Sequence, residues 1–419
     1  MLFAPAALLV ALAASTPAAH AAYKPDMTPR AEERIKNVVV LIMENRSFDS
    51  IFGRLKWDGI NPSVNGLTGD EFNWLNGAKI PIARYSNPKG GYDPGHSIQS
   101  MTQQIYNVTD GIASGRAPNM GGFAAEALAN SGGSMDAVAQ VMGAFGPDAM
   151  PVTYALAQEF SIIEDWHASY PGQTWPNRHF VHCATAAGRT ANVDLLPGIP
   201  CRTIFENLDQ NGKSWNVYAD QITVSTLLYQ GMRAPARLLR TKVFSDFAKD
   251  ARAGKLPQYS FIDPDDKKND NHPPNDIREG ERFVKGIYEA LRASPQWNQT
   301  LFLITYDENG GFFDHVPPPT GVPIPDDSKI NPVAGDFKFD RLGVRVPAIL
   351  ISPLVPKGGV FQSTVPGRHF EHSSIPATIK EIFRLPSFLT QRDMWALPFN
   401  QIASLPTPRT DCPVTLPSI

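Results

Sequence analysis

Charge of one sign is what the chain most lacks: 38 Lys and Arg stand against 41 Asp and Glu, a formal net charge of −3 over 419 residues. No basic field advertises nucleic acid, so a dedicated nucleic-acid binder is set aside. Cysteine is scarce as well. Three residues, Cys183, Cys201 and Cys412, do not make a disulfide scaffold. They suit an oxidising compartment with one bridge, and the sequence leaves the pair open; Cys201–Cys412 would pin the C-terminal tail. Beyond the N-terminus no stretch approaches the ~18 continuous apolar residues of a membrane span. Internal repeats and low-complexity linkers are missing too, which favours a single elaborated domain over two.

The N-terminus is the exception to the shortage of apolar runs. Met1–Ala22 is apolar and rich in small residues, with no charged side chain before Lys24, and Ala19-His20-Ala21 offers a small-x-small cleavage site. Residues 1–21 therefore read as a signal peptide, with a membrane anchor as the alternative. The remainder, 22–419, reads as one secreted, extracellular domain ending in a Pro-rich tail over 386–419. Asn107-Val108-Thr109 and Asn298-Gln299-Thr300 are glycosylation sequons for a eukaryotic host.

What is there describes a globular α/β protein. Hydrophobic residues make up 42% and charged ones 19%, with 38 prolines that point to long ordered loops. Continuous apolar runs at Asn37-VVVLIM-Glu44, Ser214-WNVYA-Asp220, Gln258-YSFI-Asp263, Thr300-LFLITY-Asp307 and Arg345-VPAILIS-Pro353 look like parallel strands buried on both faces. Between them, Arg278–Ser294 places Phe283, Ile287 and Leu291 on one helical face and stops before Pro295. Alternation of strand and helix implies a mainly parallel central sheet with helices on both faces. Residues 54–95 and 108–150 fit neither period and read as long loops over one end of the sheet. The tail after Leu385 reads as packed along the surface.

The chemistry gathers where strands end, the place where open α/β sheets bind ligands. VVVLIM runs into Glu44-Asn45, and LFLITY runs into Asp307-Glu308-Asn309-Gly310-Gly311. Two carboxylate pairs and an amide oxygen suit a divalent cation whose identity the residues leave open. The plainer alternative makes Asn45 or Ser47 a helix cap and Asp307 the head of a turn. Thr174 in Tyr170-Pro-Gly-Gln-Thr174-Trp-Pro176-Asn177-Arg178 stands in what would be the first turn of a helix. There it is either a capping threonine or a hydroxyl beside a phosphate cradle, with Arg178 adding a charge-assisted bond to the oxyanion. His96, His272, His315 and His372 all stand in short polar segments beside acidic residues, suited to donating to phosphate, protonating a leaving group or binding metal.

Taken together, Glu44-Asn-Arg-Ser-Phe-Asp49 with Gly53, Thr174 before Pro-Asn-Arg178, and Asp307-Glu308 with Gly310-Gly311 and Asp314-His315-Val316 resemble the phosphoesterase family. Arg345-Val-Pro, Ser352-Pro353 and Glu371-His-Ser-Ser374 resemble its later blocks. That family holds bacterial and plant non-specific phospholipases C and related acid phosphatases, and the resemblance covers roughly residues 35–385. It implies an alkaline-phosphatase-like α/β sandwich and a covalent phosphothreonine route. Thr174 would be the nucleophile, Glu44, Asn45, Asp307 and Glu308 would surround the metal position, and His96 and His272 would contact phosphate or the leaving oxygen. Members often carry Asp-Asp-His-Pro where this chain has Asp270-Asn271-His272-Pro273, which puts the orientation of His272 in question. Trp175 after the threonine is a further departure that narrows the pocket.

The resemblance favours a phospholipase C acting on glycerophospholipids, with a phosphomonoesterase as the alternative substrate reading. Phe312, Phe313, Trp175 and Phe123 are candidates for an apolar lipid entrance, and Leu227–Lys242 for a transient contact with a membrane surface. A sulfatase is disfavoured because the chain lacks the Cys-x-Pro-x-Arg signature. A non-catalytic binding protein would leave the motifs damaged, and they are whole.

Overall fold

The computed structural model describes residues 33–108, 115–192, 196–220, 225–325 and 337–419. The expected signal peptide over 1–21 lies outside the described residues. Eight strands form the central sheet. In spatial order they are Gly359–Phe361, Ser161–Ile163, Ala348–Ile351, Thr300–Tyr306, Asn37–Met43, Tyr259–Asp263, Trp215–Ala219 and Thr241–Lys242. The two longest, Asn37–Met43 and Thr300–Tyr306, are buried at every position, which is why their apolar runs are continuous rather than alternating. They pair in parallel from Asn37 opposite Thr300 to Met43 opposite Tyr306. The register sets Glu44 beside Asp307 at the carboxyl edge.

Four of the five apolar runs are parallel strands. The fifth, Ala348–Ile351, runs antiparallel to both of its neighbours. Among the described residues between Asp307 and Pro347 there is no helix. Without a crossover helix to carry it back, the chain re-enters the sheet from the end at which it left. The Ile277–Arg292 helix does bury Phe283, Ile287 and Leu291, is capped by Asp276, and ends at Ala293.

The segments expected to be loops are more ordered than that. Residues 72–81 form a hairpin. Phe123–Asn130 and Met135–Val141 are helices, the second capped by Ser134. Their Ala-rich stretches carry helix propensity, but each is too short for the 3.6-residue period to show among Gly-dense flanks. They build a second apolar cluster with Leu67, Met101 and Phe313. The tail is fastened through Leu405 N–H to Leu354 O at 3.0 Å and Tyr288 Oη to Pro413 O at 2.6 Å, and holds a short helix, Gln391–Trp395. The disulfide joins Cys183 to Cys201, while Cys412 is buried and free, so the Cys201–Cys412 pairing is not the one formed.

Candidate active site

At the carboxyl edge of the sheet, four elements converge on one arginine. The Thr174–Cys183 helix starts beside the sheet and sends Arg178 inward from its second turn. Its guanidinium donates to Asp307 Oδ2 at 2.9 Å, Asp263 Oδ1 at 3.0 Å and Glu44 Oε2 at 3.1 Å. Those three carboxylates end three adjacent strands. Burial works against the charge on Arg178, but Asp307, Glu44 and Asp263 outweigh it and hold the group firmly protonated. Arg178 was expected to grip a phosphoryl oxygen. The structure places it in the lining of the cavity beside Thr174, with three of its N–H groups engaged by carboxylates that it holds together.

Thr174 sits one turn above, with its hydroxyl 3.2 Å from Glu44 Oε1 and 3.4 Å from Glu308 Oε1. Asn45 takes a left-handed conformation, φ 58°, with its N–H donating to Asp307 Oδ1 at 3.3 Å. A short polar side chain tolerates that backbone. Gly310, itself at φ 58°, passes so close that a Cβ there would lie 2.6 Å from the Asn45 Cβ, so only glycine closes the loop. Negative charge is in surplus. Burial, Arg178 and Glu44 set Asp307 at about 7, and burial with Asp307 and Glu44 holds Glu308 well above the carboxylate range. Asp270 is pushed up to about 8, by burial first and Glu44 second.

Three buried oxygens in this cluster have no partner among the described residues: Asn45 Oδ1, Glu308 Oε2 and Asp270 Oδ2. Hard oxygen donors left unpaired amid surplus negative charge are the donor set of a divalent cation. Glu44, Asn45, Asp307 and Glu308 thus fit a metal position. A second group, Asp49, Asp314 and His315, brings ligand atoms within 4.8 Å of one another and could hold a metal ion. There, however, Arg345 already bonds Asp49 at 3.2 Å and Asp314 at 3.1 Å.

The four histidines separate into two kinds. His96 and His272 flank the site, with ring centroids 6.2 Å apart. In each, Nδ1 faces a proline carbonyl, Pro94 at 2.8 Å and Pro273 at 2.5 Å, which turns Nε2 towards the carboxylates. Nε2 of His96 is 3.5 Å from Glu308, and that of His272 is 3.9 Å from Glu44. His315 is not brought in; it bonds Asp49 at 2.6 Å and Asn65 at 3.2 Å. His372 is wholly buried, and its Nε2–H donates to the Asp307 carbonyl at 2.6 Å while Nδ1 accepts from Trp166 at 3.3 Å. Burial brings it down to about 4, so it props Asp307 as a neutral ring and does not face the cavity. The reading of both as groups acting on substrate is therefore corrected.

Sequence reasoning passed over Asp263 and Asp93. Asp263 ends a buried strand just as Asp307 follows one, and that signal was available. Asp93 reaches Asn45 at 3.5 Å and His272 at 3.7 Å from a loop that carries no periodicity. Asn271 points into the core, its amide donating to Tyr306 Oη at 2.7 Å, while Asp270 is the group that holds the His272 N–H, at 2.9 Å. The missing second carboxylate thus falls away from the imidazole. A cavity of about 120 Å3 opens beside Thr174, lined by Glu44, Trp175, Arg178, Asn192 and Asp263. Phe123, Phe312 and Phe313 are buried in the core, so of the aromatics expected at an entrance Trp175 alone lines it. Asn45, which with Arg46 and Ser47 also matches the glycosylation pattern, is buried, whereas Asn107 and Asn298 are exposed.

The phosphoesterase family profile matches residues 35–386. Non-specific phospholipase C6 of Arabidopsis thaliana is 44% identical over 405 residues, covering 92% of this chain and 75% of that protein. Phospholipase C A of Mycobacterium tuberculosis is 30% identical over 414 residues, covering 89% of this chain and 77% of its own length. Among solved structures, a protein in the alkaline phosphatase superfamily from Vibrio parahaemolyticus is 10% identical, with 58% of this chain and 62% of that one covered and a TM-score of 0.37.

Proposed function

The chain belongs to the phosphoesterase family, and on that premise we propose that it is a phospholipase C. It cleaves glycerophospholipids to diacylglycerol and a phosphorylated headgroup through a phosphothreonine intermediate. One observation carries the reading: the Thr174 hydroxyl stands at a helix N-terminus, 3.2 Å from Glu44 and 3.4 Å from Glu308. The helix N-terminus offers N–H groups and a positive dipole end to the phosphoryl oxygens. A threonine hydroxyl is a weak nucleophile, and adjacent carboxylates are the bases that remove its proton. A divalent cation held by Glu44, Asn45, Asp307 and Glu308 would supply charge neutralisation at the phosphoryl group.

In the first step the bond between Thr174 Oγ1 and phosphorus forms as the bond to the diacylglycerol oxygen breaks, and the hydroxyl proton passes to a carboxylate. His96 or His272, with Nδ1–H held by a carbonyl, donates the Nε2 proton to the departing oxygen. In the second step that imidazole takes a proton from water, which attacks phosphorus as the bond to Thr174 Oγ1 breaks, and the carboxylate returns its proton to the departing hydroxyl. The Cys183–Cys201 bond and the N-terminal apolar segment support secretion into an oxidising compartment. The exposed Leu238, Leu239 and Val243 support transient contact with a membrane surface.

Purified protein on phosphatidylcholine and on p-nitrophenyl phosphate, each beside Thr174→Ala, tests the reading. Diacylglycerol release that vanishes in the variant is the expected result. Turnover of the monoester alone would make the protein a phosphatase, and no turnover of either would sink the enzyme reading.

A further inference from the structure

A threonine at the start of a helix ordinarily spends its side chain on capping. Thr174 does not: its hydroxyl faces Glu44 and Glu308, and the residue before it, Gln173, makes no side-chain cap either. Something else must satisfy the exposed N–H groups of the first turn. The chain itself returns to do so. After the helix ends at Cys183 it reverses through Ala184 in a left-handed conformation and comes back along its own helix to Asn192. The Asn192 Oδ1 accepts the Trp175 N–H at 2.8 Å, and the Asn192 N–H donates to Gln173 Oε1 at 2.8 Å. Further on, Cys201 bonds Cys183 at the helix's far end.

We infer that Asn192 is a positioning residue for the nucleophile, a cap supplied from across a loop so that the Thr174 hydroxyl stays free for chemistry. The inference rests on the reading of Thr174 as nucleophile. Three features support it together. The two 2.8 Å bonds are reciprocal and clamp both residues that bracket Thr174. Pro176 has no N–H to offer, so Trp175 presents the N–H that a local cap would ordinarily take. And Asn192 lines the cavity beside Thr174, so the clamp lies on the substrate side of the helix. The disulfide closes the same excursion at its other end and limits how far Asn192 can drift.

Removing the clamp leaves the Trp175 N–H to water and frees the backbone on both sides of Thr174 to move. The expected result for Asn192→Ala on a soluble, short-chain phosphatidylcholine is a kcat lower by about 10- to 100-fold, the scale of a misplaced reacting group. KM should stay within about threefold, because a positioning loss acts on the reacting geometry more than on uniform binding. Asn192→Asp, which keeps the acceptor oxygen, should restore most of kcat. Cys183→Ser/Cys201→Ser should lower kcat in the same direction, more weakly. Thermal melts and Thr174→Ala run alongside. Unchanged kcat in folded Asn192→Ala overturns the inference, and so does a failure of Asn192→Asp to recover kcat while it melts like wild type. If Asn192→Ala does not fold, Asn192→Asp and the double serine variant decide. Full activity in Thr174→Ala would instead remove the nucleophile reading beneath it, a different outcome from either.

Discussion

Arg178 and Arg345 each lie buried and each gather carboxylates from distant parts of the chain, yet one cluster is closed and the other open. Around Arg345, all five N–H donors are used: Asp49, Asp314 and the carbonyls of Asn65 and Glu164 accept them. The carboxylate oxygens are met in turn by the N–H groups of Asp49, His315 and Val316 and by the His315 ring. Burial weighs against a charge on His315, but Asp49 raises its affinity for a proton, so the two carboxylates are met by Arg345 and by a proton-seeking imidazole. Around Arg178, one cation faces Glu44, Asp263, Asp307 and Glu308, and three buried oxygens nearby, on Asn45, Glu308 and Asp270, have no partner among the described residues. The ingredients match; the balance differs. A satisfied cluster holds the fold together, whereas a surplus held in place by the fold is available to a cation and a substrate.

The largest effect should come from the open cluster. Thr174→Ala removes the nucleophile while leaving the helix and its clamp, so kcat on phosphatidylcholine should fall roughly 1,000-fold or more. The melting temperature should barely move. A variant that keeps its activity would mean that the open cluster serves some other purpose. Arg345→Met attacks the closed cluster and should do the reverse. It strands two buried carboxylates, a destabilisation of about 3–5 kcal/mol in denaturant titration, with turnover per folded molecule retained. Equal damage to stability and turnover would show that the two clusters are not separable.

Divalent cations sharpen the same contrast. A cation bound to the native state alone should raise stability by about 2.7 kcal/mol at a hundred times its Kd. Glu308→Gln should lose that response and His315→Ala should keep it. The opposite pattern would move the metal position to Asp49, Asp314 and His315. The open cluster also carries a pH signature in the cation-free protein. Asp270 rises from 3.8 to about 8 through burial and the nearby Glu44, so its contribution to stability is present below 3.8 and lost as pH rises towards 8. Asp270→Asn should match wild type near pH 4 and melt higher above pH 8. A constant difference across that range would refute the surplus-charge account.

How much of this stood in the sequence depends on what kind of order each part has. The fully buried strands announced themselves, because a run such as Val38–Met43 has no other stable place to go. Their ends then pointed to Glu44, Asn45, Asp307 and Glu308. Thr174 was legible only as one of two alternatives, since a cap and a nucleophile look alike in one dimension. The direction of Ala348–Ile351 was hidden, because burial gives a strand its composition and not its polarity. His372 and His315 were misjudged for a related reason. Adjacent acids in sequence suggested exposed polar loops, whereas His372 is turned into the core by Trp166 and His315, still partly exposed, is held by Asp49 in the other cluster. Arg178 shows the converse. Its role depends on Asp263, which the chain supplies 85 residues later.

The smallest expected effect lies outside both clusters, on the edge of the sheet. Lys242 stands in register with Tyr218, which places Val243 level with Ala219, a residue that lines the cavity. Val243 is 56% exposed, and Leu239, a few residues earlier, 84%. The basic residues of this segment are largely occupied: Arg237 bonds Asp209 at 2.8 Å and Lys242 bonds Asp250 at 2.6 Å. With its charge spent internally, the segment has apolar surface left to offer a bilayer, so contact should be insensitive to salt. On the proposed membrane contact, the acyl chains would stay in the bilayer while the phosphoester enters the cavity of about 120 Å3. Partial burial of one leucine is a modest term, and Leu239→Asp should lower turnover of vesicle phosphatidylcholine by about 3- to 10-fold. Turnover of a monomeric short-chain analogue should be unchanged. A loss that appears equally on both substrates would place Leu239 in the folding of the edge strand, and a loss relieved by low salt would return the contact to the basic residues.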